Sequence, residues 1–104
     1  MTINGKEINF RISSLKDATA MNLALDELGK TEDKIKAMKS KELIPVLEAM
    51  ISMFKQFFLI ATGEDILADC DDLQEARDAY EQFLGEIEKQ KKAVLAPYSI
   101  KRIE

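Results

Sequence analysis

The sequence has no histidine and no tryptophan, one cysteine and two prolines in 104 residues. Without histidine, the side chain that most often acts as acid–base catalyst and metal ligand is missing. Cys70 has no second cysteine to pair with, so an intrachain disulfide contributes nothing to this fold. The four glycines, Gly5, Gly29, Gly63 and Gly85, stand singly, which excludes a glycine-rich phosphate loop. The first residues are polar and strand-like instead of a basic region followed by an apolar run. No signal peptide is expected, and the cytoplasm is the default location.

What is present is a folded composition: 46% hydrophobic and 33% charged residues, in a length that suits one domain with a real core. The net charge of −4 divides unevenly, as +1 over residues 1–62, −9 over 63–88 and +4 over 89–104. Nucleic-acid binding needs a concentrated positive face, and only the short last block offers one. A basic helix terminus with a solvated tail is the simpler account of those lysines, so a protein partner is expected and a nucleic acid is not.

Residues 43–60, LIPVLEAMISMFKQFFLI, organise the rest. At 100° per residue, Glu48, Ser52, Lys55 and Gln56 fall on one narrow stripe, and large apolar side chains occupy the remaining circumference. Length alone would allow a membrane span, but Glu48 and Lys55 lie in its middle, where central charges oppose insertion. A central core helix, surrounded by other helices or lying at an interface, is the expectation.

Asn4-Gly5 is a type I′ hairpin signal, because both residues tolerate the positive φ that the turn demands. Ile8, Phe10 and Ile12 then alternate with Asn9 and Arg11, which predicts a strand with one buried face. Its partner before the turn is short, so the spare edge must be satisfied by another segment, another chain or water. Residues 98–103 are a candidate mate. Ser13 or Ser14 caps the next helix, in which Ala18, Met21, Leu25, Leu28, Ile35 and Met38 keep one helical phase past Gly29. One helix over about 14–39 is favoured over a break at that glycine, which costs roughly 1 kcal/mol where it is tolerated.

Ser40 can cap the central helix, Pro45 sits near its first turn, and Gly63 ends it. Residues 64–70 have room for a short turn anchored by Ile66 and Leu67. Asp71 or Asp72 caps the last helix, whose stripe runs through Leu73, Ala76, Tyr80, Phe83, Leu84, Ile87, Val94 and Leu95. Acidic residues at its start and lysines at its end suit the helix dipole, and Pro97 is expected to terminate it.

Chemistry is sparse. Asp65, Asp69, Asp71 and Asp72 form the one ligand-like cluster. Counted as a calcium loop from Asp69, however, it has Leu73 at the fifth position, Gln74 where glycine is needed and Tyr80 where the bidentate glutamate belongs. Caps and solvated carboxylates explain it better than a metal. Cys70 has no histidine to serve as its base, so a small packed side chain is the better account. Met21, Met38, Met50 and Met53 could line an adaptable groove, though filling a core is their commoner use.

Taken together, Ile3-Asn4-Gly5-Lys6-Glu7 with Phe10, an aromatic-rich middle helix closing at Gly63-Glu64, Asp72-Leu73 and Tyr80-Glu81-Gln82-Phe83 resemble a family of small proteins. These come from tailed phages and prophages of Gram-positive bacteria and are of the tail-assembly-chaperone type. The resemblance implies a protein in the bacterial host cytoplasm that holds a hydrophobic tail component, the tape-measure or tube protein, until assembly. It assigns no functional residue.

The expectations are therefore a mainly α (α+β) single domain, with a β-hairpin over 1–12, a helical core over 14–96 and a tail over 97–104. Three main helices are expected, gathered around the central apolar one. The chain is expected to be a non-catalytic binding or assembly module without cofactor or metal. Exposed parts of Met50, Phe54, Phe57 and Phe58 are the expected contacts to a protein partner or a second copy. The alternative is an acidic regulatory inhibitor whose 64–88 face mimics nucleic acid and binds a basic protein.

Overall fold

In the computed structural model, which describes residues 1–39 and 42–103, the chain runs β1 (Thr2–Ile3), β2 (Lys6–Glu7), α1 (Leu15–Lys36), α2 (Leu43–Thr62) and α3 (Leu73–Ile103). The fold is mainly helical with an antiparallel N-terminal hairpin, as the sequence predicts. Asn4 and Gly5 take φ of 53° and 75°, the left-handed pair of a type I′ turn. Thr2 then pairs with Glu7 and Ile3 with Lys6. The Thr2 hydroxyl donates to Glu7 Oε1 at 2.7 Å, and this bond is the main reason the Glu7 carboxyl titrates below its ordinary value.

The strand expected over residues 8–12 does not form a ladder. Ile8 and Phe10 are buried while Asn9 and Arg11 are exposed, so the alternation is real, but the segment lies against helices instead of a neighbouring strand. Its backbone finds partners elsewhere. The Ile8 N–H donates to the Met1 carbonyl at 2.7 Å. Gln90 of α3 does the rest: its Nε2 donates to the Phe10 carbonyl at 3.1 Å and its Oε1 accepts from the Ile12 N–H at 2.7 Å. One side-chain amide thus stands in for the missing strand.

Ser14 caps α1 by accepting from the Asp17 N–H at 3.3 Å, and the helix passes Gly29 without a break. The buried face is not quite the expected one: Met21 and Ala24 are inside and Leu28 and Ile35 partly so, whereas Leu25 is exposed. With Ala24 facing inward, the roughly 100° step between adjacent helical residues turns Leu25 outward. The next helix, α2, packs back along α1 as a helical hairpin. Ser40, expected to cap α2, lies outside the described residues. Pro45 falls in the first turn of α2, where its missing N–H costs nothing. Gly63, at φ 77°, closes the helix in the left-handed conformation, its N–H donating to the Leu59 carbonyl at 2.9 Å.

Residues 64–72 return the chain to the start of α3, burying Ile66, Leu67 and Cys70. Asn4 Nδ2 and Lys6 Nζ tie the hairpin to this turn by donating to the carbonyls of Ile66 and Asp65 at 3.4 and 3.2 Å. Asp72 caps α3 through its Oδ1, which accepts from the N–H groups of Gln74 at 2.8 Å and Glu75 at 3.2 Å. Phe54 meets Tyr80 at 5.0 Å between ring centroids, and Phe58 meets Phe83 at 5.4 Å, so α2 and α3 advance in the same sense. Phe10 joins from the N-terminal segment, edge to face with Phe83 at 5.2 Å.

Two expectations at the C-terminus fail together. Pro97 does not end α3, and residues 98–103 form no strand, because the helix continues to Ile103. A proline inside a helix frees the carbonyl four residues earlier, here Ala93. That part of α3 is exposed, so the freed carbonyl faces solvent and not a packed interior.

Candidate functional site

Of the four side chains expected to meet a partner, three are interior. Phe54 and Phe58 are buried, Phe57 is 1% exposed, and all three pack against Tyr80 or Phe83. These rings are the core. Replacing Phe54 and Phe57 with alanine would damage folding before it reported on association. Met50 is half-buried. It lines a cleft of about 310 Å³ with Met53, Leu28 and Ile35, where Tyr80 also lies. Of the other methionines in the expected groove, Met21 is buried and Met38 half-buried, so the four do not form one continuous surface. Burial, and next the charge of Glu32, push the Tyr80 phenol above the ordinary tyrosine range.

On α2, an uncovered apolar surface lies one to three turns earlier. Leu43 is 70% exposed and Ile44 68%, with Leu47 and Ile51 half-buried behind them. Ile44, Leu47 and Ile51 form one wall of a groove of about 790 Å³, whose other wall comes from Cys70, Leu73 and the backbone between them. Local sequence explains the wall. Leu43, Ile44, Leu47 and Ile51 recur at three- and four-residue spacings and share one face of α2, while α1 covers a different face.

The rim of the groove is polar and mostly acidic. Glu48, Asp71 and Asp72 stand on it with Lys55, and all three carboxylates are exposed. Lys55 turns its ammonium toward the Ala68 carbonyl, to which it donates at 3.5 Å. The Cys70 thiol, buried at the base, donates to the Asp72 carbonyl at 3.3 Å. An apolar floor with charged edges suits the nonpolar side of a helix better than a small polar substrate, since nothing inside the groove converges on a reacting atom.

No group of three or more Asp, Glu or Cys side chains that could hold a metal ion exists among the described residues. The aspartates of 65–72 are spread around the turn as caps and solvated carboxylates. By length and composition alone α2 could cross a membrane, with a mean hydropathy of 1.7. Core helices pass the same test, and the second half of α2 is one.

The sequence reading missed two residues that matter here. Ile44 belongs to the apolar 43–60 stretch, but nothing in that stretch's own pattern tells which side the rest of the chain will cover. Gln90 left a clearer signal, because it occupies an apolar slot in the series Phe83, Ile87, Gln90, Val94. A polar side chain on a buried stripe calls for a specific partner. Comparison of the chain with protein-family models, with curated proteins and with solved structures finds no match.

Proposed function

We propose that this chain is a non-catalytic binding module that receives an apolar helix of a protein partner in the groove between the first half of α2 and residues 70–74. The observation that carries this reading is Ile44, which stands 68% exposed on the wall of an apolar groove while the same helix buries three phenylalanines further along. Leaving two large aliphatic side chains in water forgoes roughly 1.5–3 kcal/mol each, a loss that a partner would recover. The absence of histidine from the sequence and the shape of the groove both favour binding over catalysis.

The resemblance to phage tail-assembly chaperones supplies a concrete role. A cytoplasmic protein with such a face would shelter a hydrophobic helical tail component, such as a tape-measure segment, until that component is built in. The test uses a neutral apolar dye first and a protein client second. Nile red should bind dilute wild-type protein and lose most of its fluorescence gain with Ile44→Asp. The wild type, but not the variant, should keep a tape-measure segment in solution in a turbidity assay. Equal behaviour of the two proteins in both assays overturns the reading.

One observation favours a second reading. Asp69, Asp71, Asp72, Glu75 and Asp78 are all exposed around the start of α3, an acidic surface that a basic protein could grip in place of nucleic acid. Binding through those carboxylates weakens steeply with added salt, whereas binding through the apolar groove does not.

A further inference from the structure

The last turns of α3 repeat, in complementary form, what the groove lacks. Beyond Gln90 the helix leaves the body of the protein, and every described side chain from 91 to 98 is exposed. Val94, 42% exposed, and Tyr98, 73% exposed, continue the stripe that is buried at Phe83 and Ile87. The core face of α3 therefore outruns its core. The segment is also basic, with five basic residues and one acidic residue over 89–104. Lys89 and Lys91 meet Glu86 and Glu88 at 3.7 and 3.2 Å, but as surface pairs, which hold their partners weakly.

We infer that this projecting basic helix docks in the acid-rimmed groove of a second copy of the chain. This rests on the reading of the groove as a helix-binding site and names its occupant. Apolar side chains at 94 and 98 would meet Ile44, Leu47 and Ile51, while the neighbouring lysines face Glu48, Asp71 and Asp72. The charges complement each other as the apolar surfaces do.

A chain cannot fill its own groove this way. Leu73 on the groove wall and Tyr98 on the tail are twenty-five residues apart on one continuous helix, about 38 Å at 1.5 Å per residue. The tail thus points away from the groove it matches, and only another molecule's tail can enter. Because each copy carries one groove and one tail, mutual insertion uses both and closes at two chains. Pairing covers the same Ile44 surface that would hold a client, so self-association stores the groove in a protected state and a client must compete with the tail.

The experiment measures molar mass by light scattering for the full chain and two variants altered only at exposed positions, Ile44→Asp in the groove and Val94→Asp with Tyr98→Asp in the tail. The wild type should reach twice 11.8 kDa as its concentration rises, in low salt more readily than in high. Each variant alone should stay at the single-chain mass, and an equimolar mixture should form pairs through the one intact groove and the one intact tail. A wild type that remains single, a ladder of larger masses, a variant that still doubles or a mixture that does not associate overturns the inference. Nile red separates this from failure of the groove itself. A single-chain wild type whose dye binding Ile44→Asp abolishes leaves the groove reading standing without self-docking. A tail variant that binds no dye removes the groove reading too.

Discussion

From Met53 to Ala61, α2 buries five side chains, and the three phenylalanines among them pack on Tyr80 or Phe83 of α3. From Leu43 to Ile51 the same helix, no less apolar, buries none completely. The difference comes from neighbours and not from composition. The 64–70 turn and the middle of α3 converge on the second half, and the hairpin in turn packs on α3. The first half has α1 on one side and, across a groove, residues 70–74 on another. An apolar helix tells how much cover it needs, and the rest of the chain decides which part receives it.

The sharpest way to probe that contrast is to remove one large side chain from each half. Phe57→Ala should cost about 3–5 kcal/mol, a large share of the roughly 5–15 kcal/mol that holds a domain together, and should lower the urea midpoint severely. Gln90→Ala comes next, at about 1–3 kcal/mol, because it orphans the Ile12 N–H and the Phe10 carbonyl beside the covered half. The same urea titration reads it, with an unchanged slope if the fold survives. Gly63→Ala should cost about 1–2 kcal/mol through backbone alone, since φ is 77° and an added Cβ would meet nothing within 4 Å. Ile44→Asp, in the uncovered half, should shift stability by no more than about 0.5 kcal/mol. A large loss there would mean that the two halves are not as different as their exposure indicates.

The sequence was legible wherever local chemistry decides the outcome. Asn4-Gly5, Ser14, Gly63 and Asp72 each perform the turn or cap their residue type favours, and the phase continuity across Gly29 does mark a single helix. It was illegible where a distant element decides. The alternation of Ile8, Phe10 and Ile12 describes which side chains face inward, not whether a strand lies alongside, and here a helix supplied the partner. Pro97 looks like a stop because proline is costly inside a packed helix, but the cost shrinks on a segment with water around it. The expected partner contacts include Phe54, Phe57 and Phe58, but large apolar side chains are also what the fold's own core takes first, and all three are buried. Leu43 and Ile44 carry the same periodicity as the buried residues, so no pattern within α2 could separate them.

The amide of Gln90 has one more consequence. Residues 8–12, Ile-Asn-Phe-Arg-Ile, are already non-helical and carry β-branched and aromatic side chains in alternation, a pattern suited to stacking into fibres. A row of vacant N–H and C=O groups there would template copies of itself. By occupying two of those groups from a helix, Gln90 blunts the template, and its loss should speed amyloid-type deposition of protein that is still folded.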